Sequence, residues 1–376
     1  MPRHAGGTEV YVAALCAGLQ KQGVETIIVK PGFDIAATTE YFYENIRVIE
    51  YPETSQYTRD VIIGNTLPGG LPFFEKILLK EKPDVIHFHE VSGSNGITIA
   101  HVRIAKELKI PLFITLHLAG YVCKTGTLKY KNKTDCNGFI DDYKCSVCVL
   151  HEMGLRYGLP ELVTGLGMIA KKLKLPVTKL PGKMESALSY PAFIRKHRTV
   201  LEDIFYLSEK VFVLSNWFKK VLLINNMPED KMILLDKALP HSTLFDERIS
   251  VGENKSELIP LKFVYMGRIS PVKGLHILLK ALDKIDMRNW SLDIYGYVEE
   301  EGYLAKCKLI SNKISSSIHW KGMIEPSQVI STLQQYDALI FPSIIEEMVG
   351  LVVMEAFAAG IPVIGSDVKG IAEQIT

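Results

Sequence analysis

Two basic residues lie in one short segment of the sequence, where both could bind the same anion. Arg268 and Lys273 belong to segment 267–274, which follows an apolar run and precedes a helical pattern. Two fixed cations at a strand-to-helix turn suit a diphosphate leaving group, because negative charge accumulates on its oxygens as the bond to it breaks. The segment therefore predicts a diphosphate site; the alternative is a pair of ordinary surface cations in a loop.

Two glutamates further along the chain could bind hydroxyl groups. Glu347 is expected in a loop after a strand, and Glu355 about one turn into a helix that begins at Leu351. Carboxylates accept hydrogen bonds from hydroxyls, so one could hold a ribose and the other a sugar ring. The N–H groups at the helix start would favour a diphosphate. The alternative, that Glu355 pairs with a basic neighbour, fits poorly with an otherwise apolar helix, because burying a carboxylate is costly.

A pair of glycines opens the first helical pattern of the chain. Gly6 and Gly7 precede a helix expected at about residues 8–22. Paired glycines let the backbone approach a ligand closely, and the helix adds its positive N-terminal end. This start is therefore a second candidate site for an anionic ligand.

Short β-branched runs alternate with amphipathic helical patterns, which predicts a doubly wound α/β fold. The expected strands are 26–29, 85–88, 112–116, 211–214, 263–266, 292–295, 338–341 and 362–364. A polar stretch at 241–258 is interpreted as a linker between an N-terminal domain (1–240) and a C-terminal domain (259–376). Ligands of open α/β sheets bind beyond the carboxyl ends of the strands, so two such domains facing each other would form a cleft.

Composition and charge argue against several classes of protein. The net charge is +1, without the basic excess of nucleic-acid-binding proteins, so no nucleic-acid partner is expected. The N-terminus has no apolar stretch typical of a signal peptide. Segment 348–365 is apolar but contains Glu355, Gly360 and Pro362, which fit a helix and a buried strand better than a membrane span. A cytoplasmic protein is expected, and the lack of Gly-x-Gly-x-x-Gly after a strand argues against an NAD-dependent dehydrogenase.

These features occur in the order seen in the family-4 retaining glycosyltransferases of the GT-B type, which the chain resembles over nearly its whole length. The matching residues are Gly6-Gly7-Thr8-Glu9, Pro83-Asp84-Val85-Ile86-His87-Phe88-His89, Thr115-Leu116-His117, Ser215, Gly267-Arg268, Lys273-Gly274, Pro342-Ser343, Glu347, Glu355-Ala356 and Gly360-Ile361-Pro362-Val363. The resemblance implies two Rossmann-like domains and a nucleotide-sugar donor held mainly by the C-terminal one. It also implies transfer with retention of anomeric configuration and no obligatory metal.

Carried over by position, the resemblance assigns donor-binding roles to individual residues. Arg268 and Lys273 would bind the donor diphosphate, and Glu355 would bind the ribose. Gly7 would lie near the phosphates from the other domain. The donor would be a UDP-, GDP- or ADP-sugar, and the acceptor a glycan or a lipid-linked molecule.

The same resemblance places two residues at the reacting sugar. Glu347, with the backbone at Gly350 and Leu351, would face the donor sugar, and His117 would lie beside the transferred sugar. The alternative for His117 is a histidine whose hydrogen bonds are satisfied at a strand end. The acceptor would attack from the face that the diphosphate leaves, and a leaving phosphate oxygen would take its proton. No nucleophilic side chain is then required, and no cofactor is expected for catalysis.

The chain departs from the family pattern at both ends. No apolar strand precedes Gly6, and the sequence stops at Thr376 before the helices that usually follow. These departures lead us to expect a fragment of a longer enzyme. A non-catalytic nucleotide-sugar-binding protein, or an inactive fragment of such an enzyme, is therefore the alternative function.

Four of the six cysteines lie close together in the sequence. They are Cys123, Cys136, Cys145 and Cys148. The last two have the spacing of zinc ligands, so a structural zinc site is one interpretation. Reduced thiols packed in a loop are the other, because disulfides are disfavoured in a reducing cytoplasm.

A basic segment at 156–198 carries nine lysines and arginines against Glu161 and Glu185. One interpretation is a solvated basic face on surface helices. The other is a patch that meets anionic lipid headgroups or an anionic acceptor, which would place the protein at the inner face of a membrane.

Overall fold

The computed structural model groups the chain into two compact units, Met1–Asp236 and Lys237–Thr376. The structure describes residues 7–33, 35–54, 61, 66–91, 96–173, 182–235, 260–285, 289–314 and 318–375. The linker predicted at 241–258 lies outside these residues. Within the described ranges, none of the helices has the length and apolarity needed to cross a bilayer.

The N-terminal unit contains eight helices and nine strands in its described part. The helices are α1 (Gly7–Lys21), α2 (Leu71–Glu81), α3 (Ile99–Glu107), α4 (Asp142–Glu152), α5 (Leu159–Lys172), α6 (Gly182–Leu188), α7 (Tyr190–Leu207) and α8 (Asn216–Ile224). The strands are β1 (Ile27–Phe33), β2 (Thr39–Tyr43), β3 (Ile46–Glu53), β4 (Ile86–Phe88), β5 (Leu112–Leu116), β6 (Lys129–Tyr130), β7 (Thr134–Asp135), β8 (Lys210–Val213) and β9 (Met232–Leu234).

A four-stranded parallel sheet positions the candidate residues of this unit. Its order is β4-β5-β8-β9, with Phe88 opposite Ile114 and Leu116 opposite Val213. Leu112, Ile114 and Leu116 are fully buried, as expected for a strand covered by helices on both faces. The segments that follow β4 and β5 therefore emerge side by side at one edge of the sheet.

Two smaller sheets complete the strands of this unit. In the first, β1 pairs in parallel with β3, and β2 pairs with the other side of β3 in antiparallel orientation. Ile46, Val48 and Ile49 of β3 are buried, and Ala13 of α1 packs in the same cluster as the first two. The second sheet is the short antiparallel hairpin of β6 and β7.

The C-terminal unit is one parallel sheet with helices. Its strands are β10 (Leu261–Met266), β11 (Trp290–Tyr295), β12 (Ile318–Gly322), β13 (Ala338–Phe341) and β14 (Val363–Gly365). Its helices are α9 (Leu275–Leu282), α10 (Glu301–Ile314), α11 (Val329–Leu333), α12 (Leu351–Ala358) and α13 (Lys369–Ile375).

The strand order of this sheet defines where a ligand can bind. The order is β12-β11-β10-β13-β14, so the chain moves outward from β10 in one direction and then returns to build the other side with β13. The carboxyl ends of β10 and β13 are therefore a topological switch point, where ligands of open α/β sheets bind. Leu275, Leu278, Leu279 and Leu282 of α9 are buried in the core behind this point.

The predicted fold class is confirmed, and most predicted strands agree with the structure to within a few residues. Strands 112–116 and 338–341 match β5 and β13 at both ends, and the first helix runs from Gly7 to Lys21. Strands β2, β3, β6, β7, β9 and β12 were not predicted. The segments of β2 and β12 carry exposed polar residues such as Glu40 and His319, so they lack the continuous apolar run of a buried strand.

Candidate functional site

Segments at the carboxyl ends of β10 and β13 bring the predicted diphosphate and sugar residues of the C-terminal unit together. Lys273 Nζ lies 2.5 Å from Glu347 Oε1, and the hydroxyl of Ser343 donates to the same oxygen at 2.7 Å. The Lys273 and Glu347 side chains are only 17% and 14% exposed. From the sequence, Lys273 and Glu347 were expected to contact the same donor molecule. That they form an ion pair with each other was not predicted.

Arg268 lies at the more exposed rim of this site. It donates to Glu299 at 3.0 Å, in a pair whose side chains are 38% and 40% exposed. The hydroxyl of Tyr265 donates to the backbone oxygen of Arg268 at 2.7 Å and so fixes the backbone there. Exposed ion pairs contribute little to stability, so Arg268 can exchange Glu299 for another anion at small cost.

Glu355 is a carboxylate inside an apolar helix and has no partner in the described part of the chain. It lies on α12 between the buried Val353 and Ala356. Neither an ion pair nor a side-chain hydrogen bond is formed by its carboxylate there, and burial alone raises its pKa to about 7. The alternative that Glu355 pairs with a basic neighbour is therefore not supported. Glu355 is partly buried, and a carboxylate in that position without a donor among the described residues can accept hydrogen bonds from hydroxyl groups.

The start of α12 offers backbone N–H groups. The backbone of Gly350 was predicted to face the donor sugar. In the structure its N–H donates to Gln374 Oε1 at 2.7 Å, so this N–H already has a partner within the protein. Within the described residues, α12 has no side-chain cap at its N-terminus. The backbone oxygen of Gly350 accepts from the N–H groups of Val353 and Met354. The N–H of Leu351 precedes them and points out of the helix start, where an anion is favoured.

Residues that the sequence did not single out hold the loop of Glu347 in place. A Cβ at Gly370 would lie 1.9 Å from the backbone oxygen of Glu347, so α13 packs directly under the loop. The neighbouring Glu346 is 5% exposed and accepts from the N–H of Lys369 at 2.6 Å. Glycine and glutamate are too common in loops and helix starts for either residue to predict this support from the sequence.

Gly274 brings the turn of Lys273 against the end of β13. Its φ is 71°, and a Cβ there would lie 1.9 Å from the backbone oxygen of Pro342. Only glycine adopts this conformation without strain and also allows the close approach. The contact explains how Lys273, after β10, reaches Glu347, after β13.

Gly274→Ala is expected to destabilise the protein more than the matched variant Gly360→Ala. Gly360 has a similar φ of 77° but no described atom within 4 Å of a Cβ, so its replacement costs only the backbone strain of about 1–2 kcal/mol. Gly274→Ala adds displacement of the turn and is expected to weaken nucleotide binding as well. Urea unfolding and nucleotide titration of both variants measure this. Equal loss of stability with unchanged nucleotide affinity would contradict the assigned contact.

A cluster of histidines occupies the ends of β4 and β5 in the N-terminal unit. His89 Nδ1 lies 3.2 Å from His117 Nε2, and His87 Nε2 lies 2.7 Å from the hydroxyl of Thr115. Tyr11, one turn after Gly7 on α1, packs edge-on against the ring of His117 at 5.1 Å between centroids. The predicted residues Gly7 and His117 therefore belong to one region of this unit.

Burial keeps these histidines neutral near pH 7. It lowers the pKa of His87 and of His117 to about 4 and that of His89 well below its usual range. A neutral imidazole has one N–H donor and one acceptor nitrogen. His117 shares a hydrogen bond with His89 through Nε2, as the alternative of a satisfied histidine expects.

The four clustered cysteines line one cavity of the N-terminal unit. All four are free thiols, and burial raises the pKa of Cys145 to about 11. Cys148 accepts from the N–H of Lys131 at 3.3 Å, and Cys123 lies 3.2 Å from the hydroxyl of Thr125. Among the described residues, no three acidic, histidine or cysteine side chains are already placed to hold a metal ion.

Two protein-family models match the chain. The model described as Glycosyltransferase Family 4 matches residues 5–136. The model described as Glycosyl transferases group 1 matches residues 248–376, which include the whole switch-point site. An uncharacterized glycosyltransferase of Methanocaldococcus jannaschii is 29% identical over 182 residues, 45% of this chain and 45% of that protein. The chain matches less than half the length of the curated relatives it resembles.

Solved structures share the fold at low sequence identity. Sucrose-phosphate synthase from Thermosynechococcus elongatus superposes with a TM-score of 0.58 and 16% identity, covering 98% of this chain and 77% of that one. The Anabaena protein HepE in complex with UDP and glucose gives a TM-score of 0.56 and 12% identity, covering 100% of this chain and 81% of the other. At these identities the superpositions establish the fold, two Rossmann-like domains of the GT-B type.

Proposed function

Because the chain belongs to glycosyltransferase family 4, we propose that it transfers a sugar from a nucleotide diphosphate donor to an acceptor with retention of anomeric configuration. The observation that carries this proposal is the carboxylate of Glu355, which has no partner among the described residues and lies beside the start of α12. A partly buried acceptor without a described partner, a helix start without a side-chain cap and two cations fit a ribose followed by a diphosphate. Anabaena HepE, which shares the fold, binds UDP and glucose, in keeping with such a donor.

In the proposed complex, the donor exchanges the internal pairs of the site for contacts with itself. The diphosphate takes Lys273 from Glu347 and Arg268 from Glu299, and the N–H of Leu351 adds a hydrogen bond. Glu347, released from its lysine, accepts from a hydroxyl of the donor sugar. The ribose hydroxyls donate hydrogen bonds to the carboxylate of Glu355. They thereby supply the partner that this carboxylate lacks among the described residues.

The proposed reaction breaks the bond between the anomeric carbon and the diphosphate oxygen. The electron pair of that bond goes to the diphosphate, where Lys273 and Arg268 stabilise the negative charge. The acceptor oxygen forms the new bond on the same face, and its proton passes to the departing phosphate oxygen. No side-chain nucleophile or metal ion is needed for these steps, so we propose that catalysis requires no cofactor.

The proposed acceptor side is the histidine cluster of the N-terminal unit. His117 would contact the transferred sugar through the ring nitrogen that His89 does not use. The N–H groups at the start of α1, near Gly7, would lie close to the donor phosphates. We propose a glycan or a lipid-linked molecule as acceptor.

Retention is tested by following the anomeric form of the released sugar. Proton NMR at early times, before the free sugar equilibrates, is expected to show the anomer present in the donor. The inverted anomer would contradict front-face attack.

The alternative function, binding without turnover, predicts a rise in melting temperature with one nucleotide and no sugar release with any of the UDP-, GDP- and ADP-sugars.

We propose separately that the four-cysteine cavity holds a structural zinc ion, with Cys123, Cys136, Cys145 and Cys148 as ligands. The cavity is about 20 Å³ in volume, which is room for about one water-sized sphere. Because the thiols are not in metal-binding geometry among the described residues, binding requires their sulfur atoms to move closer together. About one zinc per chain in protein purified without added metal, lost in Cys145→Ser, is the expected result. Metal-free protein that cannot be loaded with zinc would refute it.

A further inference from the structure

Helix α5 exposes a line of large apolar side chains. Leu159, Leu162, Leu166, Ile169 and Leu173, the residue that follows the helix, are 50%, 59%, 49%, 55% and 64% exposed. Their separations of three, four, three and four residues place them on one face of the helix. These five residues are called the apolar stripe.

The opposite face of α5 carries small side chains and is buried, which explains why the apolar stripe is exposed. Pro160, Thr164, Gly167 and Ala170 are the buried residues of the helix. A Cβ at Gly167 would lie 2.3 Å from the backbone oxygen of Leu188, so the small face packs against neighbouring backbone. A soluble surface helix normally buries its large apolar side chains and exposes its polar ones. Helix α5 does the reverse, which leaves the apolar stripe for another partner.

Positive charge flanks the apolar stripe. Lys171 and Lys172 end the helix and are exposed. The one acid of its first turn, Glu161, is paired with Lys131 at 2.5 Å. In sequence, segment 156–198 has nine lysines and arginines against two glutamates. An apolar line bordered by cations matches the acyl chains and anionic headgroups of a bilayer surface. A second copy of the chain would bring the same positive charge into contact with this surface.

We propose that α5 docks on an anionic lipid bilayer, with the apolar stripe in the headgroup region and Lys171 and Lys172 at the phosphates. The docking surface does not depend on the proposed function. If that function holds, docking would bring the N-terminal unit to a lipid-linked acceptor, so the acceptor would be drawn from the membrane rather than from solution.

Vesicle co-sedimentation tests this surface without any donor or acceptor. Wild-type protein is expected to bind vesicles of phosphatidylcholine with phosphatidylglycerol, and to bind phosphatidylcholine alone much more weakly. Because both side chains already face solvent, the double variant Leu162→Ser, Ile169→Ser should fold normally and bind at least about tenfold more weakly. The matched control is Leu79→Ser, Leu309→Ser, which replaces two leucines that are 55% and 67% exposed elsewhere.

The charge component has its own variant and its own contrary outcome. Lys171→Glu, Lys172→Glu is expected to abolish the preference for phosphatidylglycerol while leaving the fold intact. Vesicle binding that is absent in the wild type, or unchanged in the apolar double variant, would overturn the proposal. A dimer of the wild type, seen by light scattering and lost in Leu162→Ser, Ile169→Ser, would assign the apolar stripe to a second copy of the chain. That result would also overturn the proposal.

Discussion

Replacing Lys273 with alanine is expected to lower the rate of nucleotide release from the donor by about 10²–10³-fold, the usual effect of removing one group that stabilises developing negative charge. Lys273 Nζ already lies 2.5 Å from Glu347 in a site where both side chains are mostly buried. Its ammonium group is therefore held at the switch point before the donor binds. The change should act mainly on turnover, because charge on the leaving diphosphate is greatest in the transition state.

The control for this variant is Lys280→Ala, which removes an exposed lysine of α9 in the same unit. It should leave turnover within about twofold of the wild type, because a lone surface charge contributes little. Circular dichroism melting of Lys273→Ala is needed as well, since the variant leaves Glu347 without its cation. A folded Lys273→Ala protein with wild-type turnover would remove Lys273 from the proposed reaction.

The second large effect is expected from Glu355→Gln, which should make the protein more stable while weakening its ligand binding. Burial raises the pKa of Glu355 from its ordinary value of 4.5 to about 7, so the folded protein binds a proton that the unfolded chain has lost. Below about pH 4.5 the carboxyl of Glu355 is protonated in both states and does not destabilise the folded protein. As the pH rises from there towards 7, the unfolded chain loses this proton first, so the free energy of unfolding falls. Glutamine carries no charge at any pH and avoids this loss.

The measurement is the free energy of unfolding of both proteins at several pH values. The advantage of Glu355→Gln should grow by about 2–3 kcal/mol between about pH 5 and about pH 8, because the carboxyl pKa differs between the folded and unfolded protein. Nucleotide affinity should fall about 10- to 100-fold, because a charged acceptor for the ribose is lost. Glu301→Gln, at an exposed carboxylate of α10, controls for the loss of one negative charge. A constant stability difference with unchanged affinity would show that Glu355 is not a ligand-binding group.

The sequence predicted the part of the site that depends on the order of secondary structure. Arg268 and Lys273 follow an apolar run, and Glu347 and Glu355 flank a helix start, so a parallel sheet places all four at the same edge. The pattern could not show that Lys273 and Glu347 bind each other, because their 74-residue separation carries no local signal. Nor could it show that Gly350 gives its N–H to Gln374, since that bond depends on the packing of α13.

The sequence could not decide the role of a residue where that role depends on burial. The large apolar residues of α5 have helical spacing, but the sequence predicted only surface helices or a patch for anionic partners in this segment and did not show which face of the helix is exposed. In the structure, Gly167 and Ala170 occupy the buried face and the leucines face outward. Exposed strands such as β12 were missed for the related reason that polar residues, here His319 and Lys321, interrupt their apolar run. A periodic pattern shows that two faces differ, but tertiary packing decides which face is inside.

Nucleotide release from a panel of UDP-, GDP- and ADP-sugars, with purified protein and no added metal, tests the proposed transfer most directly. We predict slow release with one donor in the absence of acceptor, lost in Lys273→Ala and retained in Lys280→Ala. Release that persists in Lys273→Ala would place the reaction elsewhere in the molecule. No release with any donor, despite tight binding of one nucleotide, would contradict transfer and favour a protein that binds nucleotide-sugars without turning them over.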